Sequence, residues 1–152
     1  MKTKFYLGIV IVCAFVGFIN ASFLFEKAQS GDAIPCFVVS GCDQVQNSPY
    51  AHLFGVPLSF WGLLYYAVLI CITIYLFLKE RQGGFLSQSL RTFSTLWIGV
   101  VSFGFLFSLY LLYLQIFPIG AFCSSCLLSF VDMIIITASA MIVWHRIKQN
   151  SI

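Results

Sequence analysis

Thr92-FSTLWIGVVSFGFLFSLYLLYLQIFPIGAFCSSCLLSF-Val131 runs for forty residues without a charged side chain. About 20 apolar residues cross a ~30 Å hydrocarbon core, so this stretch holds two spans rather than one. Pro118 and Gly120 interrupt it, and a Pro-x-Gly break in such a run reads as a turn between helices. The break predicts a third span at about 92–115 and a fourth at about 122–144. Working back along the chain, the charge-free stretches Phe5–Phe25 and Val56–Leu78 predict spans at about 5–25 and 57–78. The expected fold is an all-α membrane protein, a single four-transmembrane-helix domain over residues 1–152. An external loop, 26–56 and partly helical, joins the first two spans.

Composition agrees. The chain is 61% hydrophobic and 9% charged, with mean hydropathy +0.98, whereas about a quarter of residues in a soluble domain are charged. The first span follows Lys2 and Lys4 and so has the look of a signal peptide. Its apolar run exceeds the usual 7–15 residue signal core, and no clear A-x-A site follows, so an uncleaved span is expected. With four spans, Lys2, Lys4, Lys79, Arg81, Arg91, Arg146 and Lys148 fall on one side and only Lys27 on the other. Basic residues in short loops stay cytoplasmic, so both termini are expected there. The net charge of +3 is thus a topology signal and does not point to nucleic acid.

All four paired cysteines fall at the opposite, external edge. Cys123-Ser-Ser-Cys126 lies where the fourth span begins. Unpaired amides and the helix dipole lower a thiol pKa there. One turn rises ~5 Å, so Cys126 should lie deeper toward lipid than Cys123. Cys36 and Cys42, spaced C-x5-C in the loop, can form a small exposed disulfide open to exchange; a static staple is equally compatible with an oxidising compartment. Two dithiols at one membrane face favour an electron relay. A four-cysteine zinc centre fits the spacing poorly, and no metal is expected. Cys13 and Cys71 lie mid-span and read as packing residues. Asp132, about two turns beyond Cys126, is either a proton relay or the partner of a Ser or Thr on a neighbouring helix. His52 reads as an ordinary loop histidine, and Ser48-Pro49 as a turn or cap. Phe60, Trp61, Tyr65 and Phe122 lie near the thiol face and are candidates to line a flat ring pocket.

Four segments together resemble bacterial homologues of vitamin K epoxide reductase: Cys36-Phe-Val-Val-Ser-Gly-Cys42-Asp-Gln-Val, Ser48-Pro-Tyr-Ala, Phe54-Gly-Val-Pro-Leu-Ser-Phe-Trp-Gly62 and Phe122-Cys-Ser-Ser-Cys126. The resemblance implies a four-helix bundle around a quinone, partly capped by the loop. It also implies an enzyme, a quinone-dependent thiol:disulfide oxidoreductase of disulfide-bond formation. By position Cys36 receives electrons, Cys42 transfers them, Cys123 accepts them and Cys126 faces the quinone, with Ser48 matching a supporting loop Ser/Thr. The acceptor would be ubiquinone or menaquinone. The donor would be a thioredoxin-fold (DsbA-type) thiol protein, expected to be separate because the chain ends at Ile152 without a fused thioredoxin domain. The expected location is the bacterial cytoplasmic (inner) membrane. Phe130 stands where animal enzymes place a quinone-holding tyrosine, and Leu58 near their quinone-contacting asparagine, so plain quinone reduction is expected rather than epoxide reduction. Disulfide-bond formation protein B, the other four-helix oxidase, has its C-x-x-C after the first helix, the reverse of the order here. The alternative from another class is a non-enzymatic membrane subunit stapled by its disulfides.

Overall fold

The computed structural model of the chain describes residues 2–30, 41–81 and 88–149, with side chains for 3–30, 41–81 and 92–149. Cys36 lies outside the described residues. Four helices are long and apolar enough to cross a membrane: α1 (Lys2–Ser30), α3 (Leu58–Arg81), α4 (Gln88–Leu114) and α5 (Ser124–Gln149). Even α3, with 24 residues, reaches about 36 Å at the α-helical rise, more than the hydrocarbon core requires. The protein is a multi-pass membrane protein of the expected all-α class. Its helices outrun the charge-free stretches, so that Glu26 and Lys27 sit in α1, because a helix continues through the interface where charged ends meet water.

The inside-out pattern follows from the solvent. Val12, Ile19, Phe103 and Leu106 are largely exposed on the outside of the bundle, where lipid rather than water meets them. The interior holds Leu7, Val10, Ala14, Leu69, Val101, Ile136 and Val143. Hydrocarbon offers no hydrogen bonds, so interior polar atoms find partners within the bundle. Trp97 Nε1 donates to Thr73 Oγ1 at 2.9 Å, and Thr73 Oγ1 donates to the Leu69 carbonyl at 2.7 Å. Tyr65 Oη donates to the Val100 carbonyl at 3.2 Å.

These pairings fix an up-and-down bundle. Residues 17 and 21 of α1 meet 66 and 62 of α3, and Tyr65 and Thr73 of α3 meet 100 and 97 of α4. Asn20 of α1 bonds Ser125 and Ser129 of α5. Around the ring, α1 packs on α3 and α5, and α4 packs on α5, while α3 and α4 touch less extensively. At one end lie the basic last turns of α3 and α5, with Lys79 over Tyr75 and Lys148 over Trp144. The other end carries the loop and the C-x-x-C.

Between α4 and α5 the Pro-x-Gly break is built as expected. Pro118 has no N–H for the helix ladder, so regular α4 stops at Leu114 and a π-helical turn, Gln115–Ile119, follows. Gly120, at φ 64°, takes the left-handed position that ends it. The described part of the loop folds as α2 (Cys42–Gln46), a 3-10 turn (Pro49–Ala51), and a hairpin of β1 (His52–Leu53) and β2 (Val56–Pro57). Phe54 and Gly55 both have positive φ, 54° and 78°, as a two-residue type I′ turn requires.

Candidate active site

Cys123 is the N-cap of α5 rather than a residue of its first turn, as sequence had placed it. Its carbonyl accepts the Leu127 N–H at 3.0 Å, the first bond of the helix. Its sulfur therefore occupies the place of a capping oxygen. Three donors converge on it: foremost the Cys126 thiol, and then the Cys126 and Ser125 amides. Against opposing burial they lower the Cys123 thiol from its ordinary 9.0 to about 7. Gln115, itself buried, fixes the residue from the other side, its Oε1 accepting the Cys123 N–H at 2.9 Å.

The loop is pressed onto this corner. Gly41 caps α2, its carbonyl accepting the Val45 N–H at 3.0 Å. A Cβ at Gly41 would stand 2.6 Å from the Phe122 carbonyl oxygen and 3.0 Å from the Phe122 nitrogen, so only glycine allows this approach. The next residue, Cys42, is 1% exposed and is held in a disulfide, whereas Cys13, Cys71, Cys123 and Cys126 are free thiols. Cys42, Cys123 and Cys126 pack in one apolar cluster with Leu24, Phe23 and Val45.

Where α3 and α4 part, a cavity of about 490 Å³ opens. It is lined by both helices, by α5 and by the underside of the loop, and its wall is overwhelmingly apolar. Of the three clustered cysteines Cys126 alone reaches it. Trp61, Tyr65 and Ser48 also line it, as do Leu58 and Phe130, whereas Phe60 and Phe122 do not. Phe60 instead packs against Phe25, and Phe122 is exposed. Ser48 Oγ donates to the Val45 carbonyl at 2.7 Å, tying the end of α2 to the 3-10 turn.

An apolar slot of this size, with a thiol in its wall, fits a flat quinone ring. Ser59 is a polar group at the same wall whose buried Oγ finds no hydrogen-bond partner among the described residues. Among the described residues no cluster of His, Cys, Asp or Glu gathers as a metal site.

Two residues absent from the sequence reading help to shape the site. Gln115 anchors Cys123. Asn20 Nδ2 donates to the Ser125 carbonyl and to Ser129 Oγ, both at 2.9 Å, pinning the first turns of α5 to α1. The signal was available, since an amide inside an apolar span is costly unless bonded to a neighbouring helix. Cys13, expected to be a packing residue, has its thiol beside Asp132. His52 is exposed on β1.

Residues 8–141 match the sequence profile of the Vitamin K epoxide reductase family. None of the curated proteins compared with the chain matches it.

Proposed function

Because this chain belongs to the vitamin K epoxide reductase family, and is thus a membrane oxidoreductase of the thiol–quinone kind, we propose that it reoxidises an extracytoplasmic thioredoxin-fold dithiol protein. The electrons pass through the loop pair and the C-x-x-C to a quinone in the α3–α4 cavity. The observation that carries this reading is the division of labour around α5. Cys123 packs with Cys42, and Cys126, hydrogen-bonded to Cys123, reaches the cavity.

The partner dithiol reduces the Cys36–Cys42 disulfide and leaves as its own disulfide. The Cys42 thiolate then attacks Cys123 of an oxidised C-x-x-C, forming a Cys42–Cys123 bond and expelling Cys126 as a thiolate. Cys36 attacks Cys42, its proton passing to the Cys126 thiolate, which restores the loop disulfide and frees Cys123 as a thiolate beside the Cys126 thiol. Cys123 is a good leaving group because the α5 amides and the Cys126 thiol hold its thiolate. The C-x-x-C now carries both electrons, the redox arrangement seen here: Cys42 in a disulfide, Cys123 and Cys126 as thiols. Re-forming the Cys123–Cys126 disulfide delivers two electrons to the quinone. The positive-inside distribution of basic residues supports an extracytoplasmic site in a bacterial cytoplasmic membrane, and Phe130 and Leu58 on the cavity wall favour plain quinone reduction.

Purified protein mixed with a reduced thioredoxin-fold dithiol protein and ubiquinone or menaquinone tests the reading. Quinone absorbance should fall by one equivalent per partner disulfide formed. Partner oxidation that continues at the same rate without quinone would contradict it.

A further inference from the structure

Making a quinol takes two protons as well as two electrons, and the bundle holds a polar chain leading from the cavity to a buried acid. Asn20 Nδ2 donates to Ser129 Oγ at 2.9 Å. Ser129 and Tyr66 both lie on the cavity wall, and the Tyr66 hydroxyl is within interaction range of Ser129 and of Asp132. Asp132, 6% exposed on α5, also lies beside the Cys13 thiol of α1, while its Oδ2 finds no hydrogen-bond partner among the described residues. The neighbours that bear on its charge are Cys13 from α1 and Tyr65 and Tyr66 from α3. From α4, residues 92–114 bring no charged residue. No cation lies among these neighbours, and a lone carboxyl in hydrocarbon costs far less neutral than charged.

We infer that Asp132 is the proton reservoir for quinol formation, delivering its proton through the Tyr66 hydroxyl to a quinone oxygen at the cavity wall. The inference rests on the reading of the preceding subsection. With Cys123 as thiolate, the reduced C-x-x-C supplies two electrons but only one proton, that of Cys126. Closing the Cys123–Cys126 disulfide then requires a second proton from elsewhere. Tyr66 gives its hydroxyl proton to the quinone oxygen and takes the Asp132 proton. The products are the disulfide, the quinol and the Asp132 carboxylate, which recovers a proton from water before the next turnover. Cys13 is a neighbour of the acid and takes no part in electron flow.

The test uses the full chain in proteoliposomes with a reduced partner and ubiquinone. D132N, nearly isosteric, should slow single-turnover quinol formation by on the order of a hundred-fold, the usual contribution of a positioned general acid. The KM for quinone and the reduction of the loop disulfide by the partner should not change. Y66F should reproduce the defect and D132E should relieve it in part. The wild-type rate should rise with pH as Cys123 ionises and fall again as the relayed proton is lost; D132N should lack the fall. Infrared spectra of the quinone-free protein should contain a carboxylic-acid band that D132N lacks. Wild-type rates and an unchanged pH profile in both D132N and Y66F would overturn the inference alone, as would absence of the acid band. A wild-type protein that reduces no quinone would overturn the underlying reading, and the inference with it.

Discussion

Adding a single methyl group at Gly41 tests whether the loop and the C-x-x-C work by contact. A Cβ there would stand 2.6 Å from the Phe122 carbonyl oxygen and 3.1 Å from the Ala121 Cβ, about 0.8 Å inside the 3.4 Å at which ordinary contact begins. Phe122 is held by the buried Cys123, whose N–H donates to Gln115 Oε1, so α2 must give way and carry Cys42 with it. Gly41 has φ −117°, a value any residue adopts, so Gly41→Ala acts by contact alone. Misplacing reacting groups by about 1 Å costs on the order of a hundred-fold in rate. The expected result is that transfer from the loop to Cys123 slows by about ten- to a hundred-fold. Reduction of the loop disulfide by the partner should stay fast, and so should oxidation of a chemically reduced C-x-x-C by quinone. Rapid mixing with acid quench and mass analysis of alkylated cysteines resolves the three steps. Wild-type transfer in Gly41→Ala, or equal slowing of all three steps, would refute the reasoning.

Other outcomes follow from the same geometry. Cys126→Ser should abolish quinone reduction while partner–loop exchange persists, whereas Cys71→Ala, on an exposed surface of α3, should turn over normally; both are read from quinone absorbance. Alkylation of the reduced C-x-x-C should follow a midpoint near pH 7 rather than 9, and Cys126→Ala should move that midpoint upward by removing the foremost donor. Because the Cys123 thiol is lowered on folding, its contribution to stability is complete above about pH 9 and is lost as pH falls through about 7; denaturant midpoints of the reduced protein should show that slope. Phe54→Cys, at a hairpin-tip position 89% exposed, should react with a membrane-impermeant thiol reagent on intact cells, and labelling only after lysis would reverse the orientation.

The spans were legible because bilayer thickness and the cost of charge in hydrocarbon leave few alternatives, and Pro118-x-Gly120 marked the one turn inside an unbroken apolar run. The C-x-x-C was legible because its spacing and its place after that turn put both sulfurs at a helix start. What sequence missed depends on residues brought together from distant parts of the chain. Asn20 meets Ser125 and Ser129 across more than a hundred residues; an amide in an apolar span announces that it has a partner, but no local pattern says which. The seat of Gly41 on Phe122 is equally invisible. Aromatic character near the thiol face could not separate Trp61 and Tyr65, which line the cavity, from Phe60 and Phe122, which do not, because helix rotation decides that. The hairpin turn escaped notice because Phe54 is a poor residue for positive φ.

The central claim is that electrons cross from Cys42 to Cys123 and emerge at Cys126. Cys36→Ala removes the thiol that resolves the mixed disulfide between the two pairs, so that species should accumulate. Peptide mapping of the unreduced variant should find Cys42 joined to Cys123, with Cys126 free to alkylation. Cys42 alkylated, with Cys123 still joined to Cys126, would contradict the relay.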